Sequence, residues 1–241
     1  MRSRPRPLLC ELHAHTTWSD GDLTIAELVD LYGRSGFDVL AVTDHAIRAD
    51  DPWPNRQAVR SDDFPRYLTA VESEARRARS LYDLLVLPGL ELTYEDAEPR
   101  QAAHAVAVGL REHVSLDGGL EQALVDARAS GAALIAAHPY EPSAAPDALR
   151  TTARWTADLD ELAPLVDRFE LVNRRELFGW VAAAGLPAVA TGDFHAPQDL
   201  GGWKTLLPCL PQEEAVIAHL RSGLPAYLVD LAEPALLQVA A

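Results

Sequence analysis

Residues 8–24 read LLCELHAHTTWSDGDLT and place a short apolar strand, an H-x-H pair and a capped helix start in one span. Leu8–Leu12 is the strand candidate, with His13 and His15 at its end. Side chains alternate along a strand, so residues i and i+2 face the same way and can grip one ion. Asp20 follows in the turn before the first helix, with Asp22 as its nearest competitor. That helix opens TIAE, in which Thr24 and Glu27 form a capping box that satisfies orphan backbone donors.

The alternation of strand and helix continues outward. Six further strand candidates are Val39–Thr43, Leu84–Leu92, Ala103–Leu110, Ala132–Ala137, Arg168–Val172 and Pro187–Thr191. Helical stretches lie around 24–35, 62–80, 119–130, 158–166 and 175–184, and Gly36 and Gly131 stand where left-handed caps belong. This pattern predicts an α/β fold of parallel strands joined by crossovers, wound as a barrel or a strongly twisted sheet. Residues 46–61 and 139–157 are proline-bearing loops over one face, and Trp53, between Pro52 and Pro54, is a candidate lid residue. A helix near 212–222 and the apolar run Leu224–Leu231 read as a closing element.

The chain of 241 residues carries 21 basic and 36 acidic side chains, a formal net charge of −15. Its 48% apolar content suits a large core and excludes a disordered or fibrous chain. An acidic surface repels phosphate backbones and anionic membranes, which argues against long nucleic acid as a partner. A small phosphate ester stays compatible, because a bound metal inverts the local field. Cys10 and Cys209 are too few for a disulfide framework and read as reduced, buried thiols of a cytoplasmic protein. No apolar run follows the N-terminal arginines as in a signal peptide, and no stretch of about 18 apolar residues spans a membrane.

Six of the eight histidines stand at or beside predicted strands, whereas His113 and His219 read as surface residues. His45 closes VLAVTDH, Glu91 ends LVLPGLEL, His138 closes AALIAAHP, and Asp193 with His195 form D-F-H. His104, in AHAVAVGL, shares parity with Val106 and Val108. In parallel α/β folds the strand ends on the carboxyl side gather such groups. Crowding them without partners costs several kcal/mol, and divalent metals remove that cost.

In order, ELHAHTTWSDGDLT, VLAVTDH, PGLEL, AAHP and TGDFH resemble the PHP (polymerase and histidinol phosphatase) family, over about residues 10–208. The resemblance implies a distorted seven-stranded (β/α) barrel as a single catalytic domain over 1–241, closed by the helix and strand of 211–231. It implies a trinuclear metal site. His13, His15 and Asp193 would hold one ion and share Glu91 with a second, which His104 and His138 complete; Asp20, His45 and His195 would hold the third. Two to three divalent ions (zinc, manganese or iron) suit these nitrogen and oxygen ligands, since no thiolate selects zinc.

The activity so implied is hydrolysis of a small phosphate monoester by a metal-bridging hydroxide. Asp193 is the candidate proton acceptor, and His195 or a water on the third metal the candidate donor to the leaving oxygen. Arg48, Arg174, Arg175 and the chain's single lysine, Lys204, are candidate phosphate-binding cations. Family members that take nucleotides often carry an inserted domain between the strands of His104 and His138; here only Val108–Ser130 connects them. Nucleotides, nucleoside bisphosphates, histidinol phosphate and sugar phosphates all satisfy this chemistry.

Three other readings compete. An amidohydrolase shares the H-x-H and the late aspartate, but many of its binuclear sites need a carboxylated lysine on a middle strand, and Lys204 lies beyond the seventh candidate. A nuclease or phosphodiesterase would act on short nucleotides, without the basic stripe that long nucleic acid requires. The last alternative is a metal-binding regulatory module without turnover.

Overall fold

The computed structural model describes residues 6–52, 57–98, 100–140 and 152–231; Trp53 lies outside them. The chain opens with β1 (Leu8–Glu11), α1 (Ile25–Arg34), β2 (Val39–Val42), β3 (His45–Ile47), α2 (Phe64–Tyr82) and β4 (Leu85–Tyr94). It continues through β5 (Ala103–Val108), α3 (Leu120–Ala129), β6 (Ala133–Ala137), α4 (Arg154–Ala157), α5 (Leu159–Leu162) and β7 (Arg168–Asn173). It ends with β8 (Glu176–Leu177), α6 (Gly179–Ala183), β9 (Ala188–Thr191), β10 (Gly202–Leu207), α7 (Glu213–Arg221) and β11 (Tyr227–Leu231).

All seven expected strands form, as β1, β2, β4, β5, β6, β7 and β9. The fold is mixed α/β with a curled sheet, and its strands do not follow a regular parallel (β/α) alternation. Among the described residues the strands make one 11-stranded sheet, ordered β11-β10-β1-β2-β4-β5-β6-β7-β8, with β3 on β4 and β9 on β7. Half of its pairings are antiparallel, including β4 with β5 and β5 with β6. The link from Tyr94 to Ala103 is too short for the crossover that a parallel pair needs, so β5 turns back along β4. Likewise the helix expected over 158–166 is split into α5 and a 3₁₀ turn at Ala163–Leu165 that contains Pro164, whose ring cannot continue an α-helix.

The sheet curls back on itself, bringing β1 beside β9. Ala14, just past β1, bridges Phe194, just past β9. His15 N donates to Phe194 O at 2.8 Å, and Phe194 N donates to His13 O at 3.1 Å. Strand alternation divides the core in two. Leu8, Cys10, Leu12, Val106, Val108, Ala133 and Ile135 gather with Val216 and Leu220 of α7. The residues of opposite parity, such as Ala105, Ala107, Leu134 and Ala136, share a cluster with apolar residues of α1, α2 and α3. The capping box forms: Thr24 N donates to Glu27 Oε2 at 2.9 Å, and Glu27 N donates to Thr24 Oγ1 at 3.3 Å.

The far end is closed by Arg168. Its buried guanidinium donates to Leu220 O, His219 O and Leu224 O at 2.7–2.9 Å, capping the carboxyl end of α7. His219 is therefore not a surface residue: it is buried, with Nε2 3.1 Å from Pro225 O. His113 is half-buried against the Phe64 ring, and burial lowers its pKa. Cys10 is buried, and burial raises its thiol pKa; Cys209 is only half-buried. No helix among the described residues is long and apolar enough to cross a membrane.

Candidate metal centre

Strand register brings the polar residues to one edge. In the parallel pair β3–β4, His45 stands beside Glu91. Antiparallel β5 opposes His104 to Thr93, and β6 places Ala137 opposite His104, so His138 follows at the same edge. His104 thus lies at the amino end of its strand, not the carboxyl end, and reaches the common face because β5 runs backward. The Ala14–Phe194 bridge adds His13, His15, Asp193 and His195 from the opposite side of the curl.

Nine side chains converge there in three groups: His13, His15 and Asp193; Glu91, His104 and His138; and His15, Asp20, His45 and His195. Within each group the candidate ligand atoms lie within 4.8 Å of one another. His13 and His15 face each other, with their Nε2 atoms 3.0 Å apart. Asp20 rather than Asp22 joins the cluster: although its side chain is 45% exposed, Oδ1 lies 3.3 Å from both His45 Nε2 and His195 Nε2.

Mutual influence sets the protonation states. Burial opposes charge on His45, but Glu91 and Asp20 outweigh it and lift the imidazole to about 10. Burial opposes charge on His13 too, and Asp193, Glu91 and Glu170 still raise it well above its ordinary value. Burial and the neighbouring His45 drive His15 the other way, down to about 3. Glu91 and Asp193 stay well below the carboxylate range, because the surrounding histidines overcome the desolvation that favours their neutral forms.

The cluster is not self-satisfied. Glu91 Oε2 is buried and accepts no hydrogen bond, although His13, His15 and His45 nitrogens lie 2.7–3.6 Å away. Two imidazole nitrogens at 3.0 Å also need a proton or a cation between them. Six histidines with three carboxylates, and one carboxylate oxygen left bare, are the donor set that divalent metals fit.

Residues that carried no signal in the sequence hold this arrangement. Asp44 accepts from Thr16 N, Thr16 Oγ1 and Ser19 Oγ at 2.6–2.8 Å, fixing the turn from His15 to Asp20. His104 Nε2 lies 3.2 Å from the buried Glu95. Trp155 Nε1 donates to His104 O, and Trp180 Nε1 donates to Pro139 O beside His138. Gln57, in the loop expected to cover this face, donates to Thr17 O at 2.7 Å.

Lys204 is a correction. It is fully buried away from the cavity, with Nζ 2.9 Å from Glu11 Oε2 and donating to Asp199 O and Gly201 O. Glu11 also accepts from Tyr32 Oη and Gly192 N. A Cβ on Gly192 would lie 2.2 Å from Glu11 Oε2 and 2.4 Å from Lys204 Nζ, so only glycine admits the pair. Arg48 stacks over Tyr94 at 4.3 Å and meets Asp50 at 3.1 Å, and Arg175 is exposed; neither lines the cavity. Arg174 does.

The cavity holds about 360 Å³ and is lined by His45, Glu91, His104, His138, Asp193 and His195, with Tyr140, Asn173, Arg174 and Glu176. Arg174 donates through Nε to Asp193 O at 3.0 Å, and its Nη2 lies 2.7 Å from His195 Nδ1. His138, Arg174 and Asp193 all adopt positive φ, at 27°, 54° and 42°. Such strain persists only where the surroundings over-determine it, as at functional sites.

A family model for the PHP domain matches residues 11–163. The chain belongs to the PHP domain family. A comparison with curated proteins gives no match. Among solved structures, a two-domain Bacteroides vulgatus protein containing a predicted PHP-like metal-dependent phosphoesterase is 19% identical. It covers 98% of this PHP chain and 71% of its own, with a TM-score of 0.70. An amidohydrolase from Chromobacterium violaceum, solved with sulfate and no metal, is 16% identical over 93% of this chain and 99% of its own, at 0.55. A Bifidobacterium adolescentis protein described as a metal-dependent phosphoesterase is 16% identical over 77% of this chain and 87% of its own, at 0.50. At these identities the likeness establishes the PHP fold.

Proposed function

We propose that this PHP domain is a cytoplasmic, metal-dependent phosphomonoesterase that acts on a small phosphorylated metabolite. The observation that carries the reading is one cavity lined by members of all three ligand groups, with Arg174 on its wall. Two to three zinc, manganese or iron ions would be held by His13, His15 and Asp193, by Glu91, His104 and His138, and by Asp20, His45 and His195. When bound, such ions lower the pKa of water and neutralise a phosphate ester.

The chain's own groups supply the rest. Three carboxylates among nine ligands leave a net positive site once two or three divalent ions are present, which suits a phosphate dianion. Arg174, with its side chain 44% exposed, is free to turn its fork onto phosphate oxygens. Asp193 stays ionised beside that fork and is the acceptor for the proton of the attacking water. His195 Nδ1 cannot both donate to Asp193 O at 3.0 Å and accept from Arg174 at 2.7 Å. Drawing Arg174 onto substrate lets Nδ1 donate to Asp193 O in the Nδ1–H tautomer, which leaves Nε2 as the ligand atom beside Asp20. The proton collected by Asp193 then returns to the leaving oxygen, so that water adds across the ester bond.

A cavity of about 360 Å³ admits a small metabolite and not a duplex. The chain's single lysine is buried against Glu11, so no lysine is placed to bridge metals as many amidohydrolases require. The sulfate in the Chromobacterium violaceum neighbour is a tetrahedral anion shaped like phosphate. Elemental analysis of the purified protein, run with a phosphate-release screen in Mn²⁺, Zn²⁺ or Fe²⁺, tests the reading. Two to three metals per chain with turnover of a monoester is the expected result. Metal uptake without turnover of any ester would favour the regulatory module, and fewer than two metals under replete conditions would overturn the site.

A further inference from the structure

We infer that Glu170 is a positioning residue that serves two ligand groups at once, setting the His13 imidazole and the His138 backbone; this rests on the metal-centre reading above. Glu170 is fully buried on β7. Its Oε1 lies 2.9 Å from His13 Nδ1 and accepts from Thr191 Oγ1 at 2.6 Å. Its Oε2 accepts from His138 N at 2.6 Å and from Asn173 Nδ2 at 2.8 Å. Both oxygens are thus engaged twice, by residues at the ends of β1, β6, β7 and β9.

This reach depends on an irregularity in β7. In the β7–β9 ladder Glu170 pairs with Val189 and Val172 with Ala190, so one extra residue is accommodated between them. Residues three apart on a regular strand face opposite sides. The bulge restores Glu170 and Asn173 to one side, where Asn173 both lines the cavity and donates to Glu170.

Two consequences follow for the ligands. The carboxylate engages His13 Nδ1, which turns Nε2 toward Glu91 Oε2 and Asp193 Oδ1, each 3.6 Å away, as the atom that would take a metal. It also anchors the amide of His138, whose φ of 27° a side-chain-bearing residue rarely adopts, and so aims its imidazole at Glu91 Oε1, 3.1 Å from Nε2. Glutamine cannot substitute. Its amide has one acceptor oxygen, and its NH₂ would confront the His138 or the Thr191 and His13 donors.

The test uses the full chain with Glu170→Gln and Thr191→Val. Co²⁺ and Mn²⁺ dissociation constants are measured by chelator competition, alongside the visible spectrum of the Co²⁺ form and the melting temperature of the metal-free form. The expected result for Glu170→Gln is a 10–100-fold weaker metal affinity and an altered Co²⁺ spectrum. Thr191→Val, which removes one donor and keeps the carboxylate, is expected to weaken affinity several-fold. It decides the matter if the glutamine variant does not fold. Lower melting temperatures with wild-type affinity and spectrum would mean a merely structural role and overturn the proposal. A wild-type chain that takes up no metal would overturn the metal-centre reading itself, and this proposal with it.

Discussion

Two sets of buried charges lie within a few residues of each other in this chain, and they are built differently. Lys204 and Glu11 are both fully buried, yet each meets the other and several backbone or hydroxyl partners. Arg168 is as deeply buried and spends its guanidinium on three carbonyls. Across Gly192, the ligand cluster leaves Glu91 Oε2 without a hydrogen bond and turns His13 and His15 nitrogens toward each other. Buried polar groups that serve the fold bring their own counterparts. A cluster that does not is shaped for a partner from outside the chain.

Breaking each side of this comparison should give different losses. The largest is expected for Asp193→Asn, which keeps the side chain's size and removes its charge. Phosphate release should fall by about 10³-fold or more, read from initial rates at saturating metal. A full rate would sink the role given to Asp193.

On the structural side, Lys204→Met leaves Glu11 buried and unpaired. Urea unfolding should show a loss of about 3–5 kcal/mol, and adding Glu11→Gln should recover much of it. A stable Lys204→Met protein whose phosphate affinity alone had dropped would return the lysine to the substrate.

Metal removal should sharpen the contrast next. At free metal 100 times its dissociation constant the loaded protein gains about 2.7 kcal/mol over the stripped one, read as a shift in urea midpoint. The stripped form should also acquire a pH dependence. His45 is raised to about 10, so its stabilisation is complete below the unfolded value of about 6.5 and is lost as pH climbs through the folded value. His15 is lowered to about 3, so its neutral folded form costs stability as pH falls from about 6.5 toward 3. Metal-free stability should therefore peak near neutrality and metal should flatten the alkaline limb; an unchanged alkaline limb would contradict this.

The smallest effect belongs to the cavity wall. Arg174→Ala should raise KM about tenfold, with metal content unchanged, because the guanidinium meets phosphate and no proposed ion. A loss of bound metal instead would show that Arg174 supports His195 rather than substrate.

Most of the candidate ligands were legible because they pair a distinctive side chain with the end of an apolar strand, as His45 and His138 do; Asp20, in a turn beside Gly21, had no such signal. Strand direction was not, since nothing in AHAVAVGL says whether β5 runs with or against β4; only the short link before it does. Lys204 misled for a related reason. A single lysine after D-F-H looks like a phosphate ligand until Gly192 is seen to open room for Glu11, and that contact joins residues 181 positions apart. Glu170 was silent because a glutamate in RFELVN has the same local signature as any surface-strand acid. Its role comes from a one-residue bulge that no spacing rule exposes.

The stitch between Ala14 and Phe194 also bears on how the protein comes to be. It joins the end of β1 to the end of β9, so the mouth of the curl is among the least local contacts of the described residues, a class that forms slowly. During synthesis His13 and His15 emerge long before Asp193 and His195, and the cluster cannot close until the chain has passed them. Metal capture would thus mark the end of folding, and slow hydrogen exchange at the His15 and Phe194 amides would show that this seam opens only when the whole molecule does.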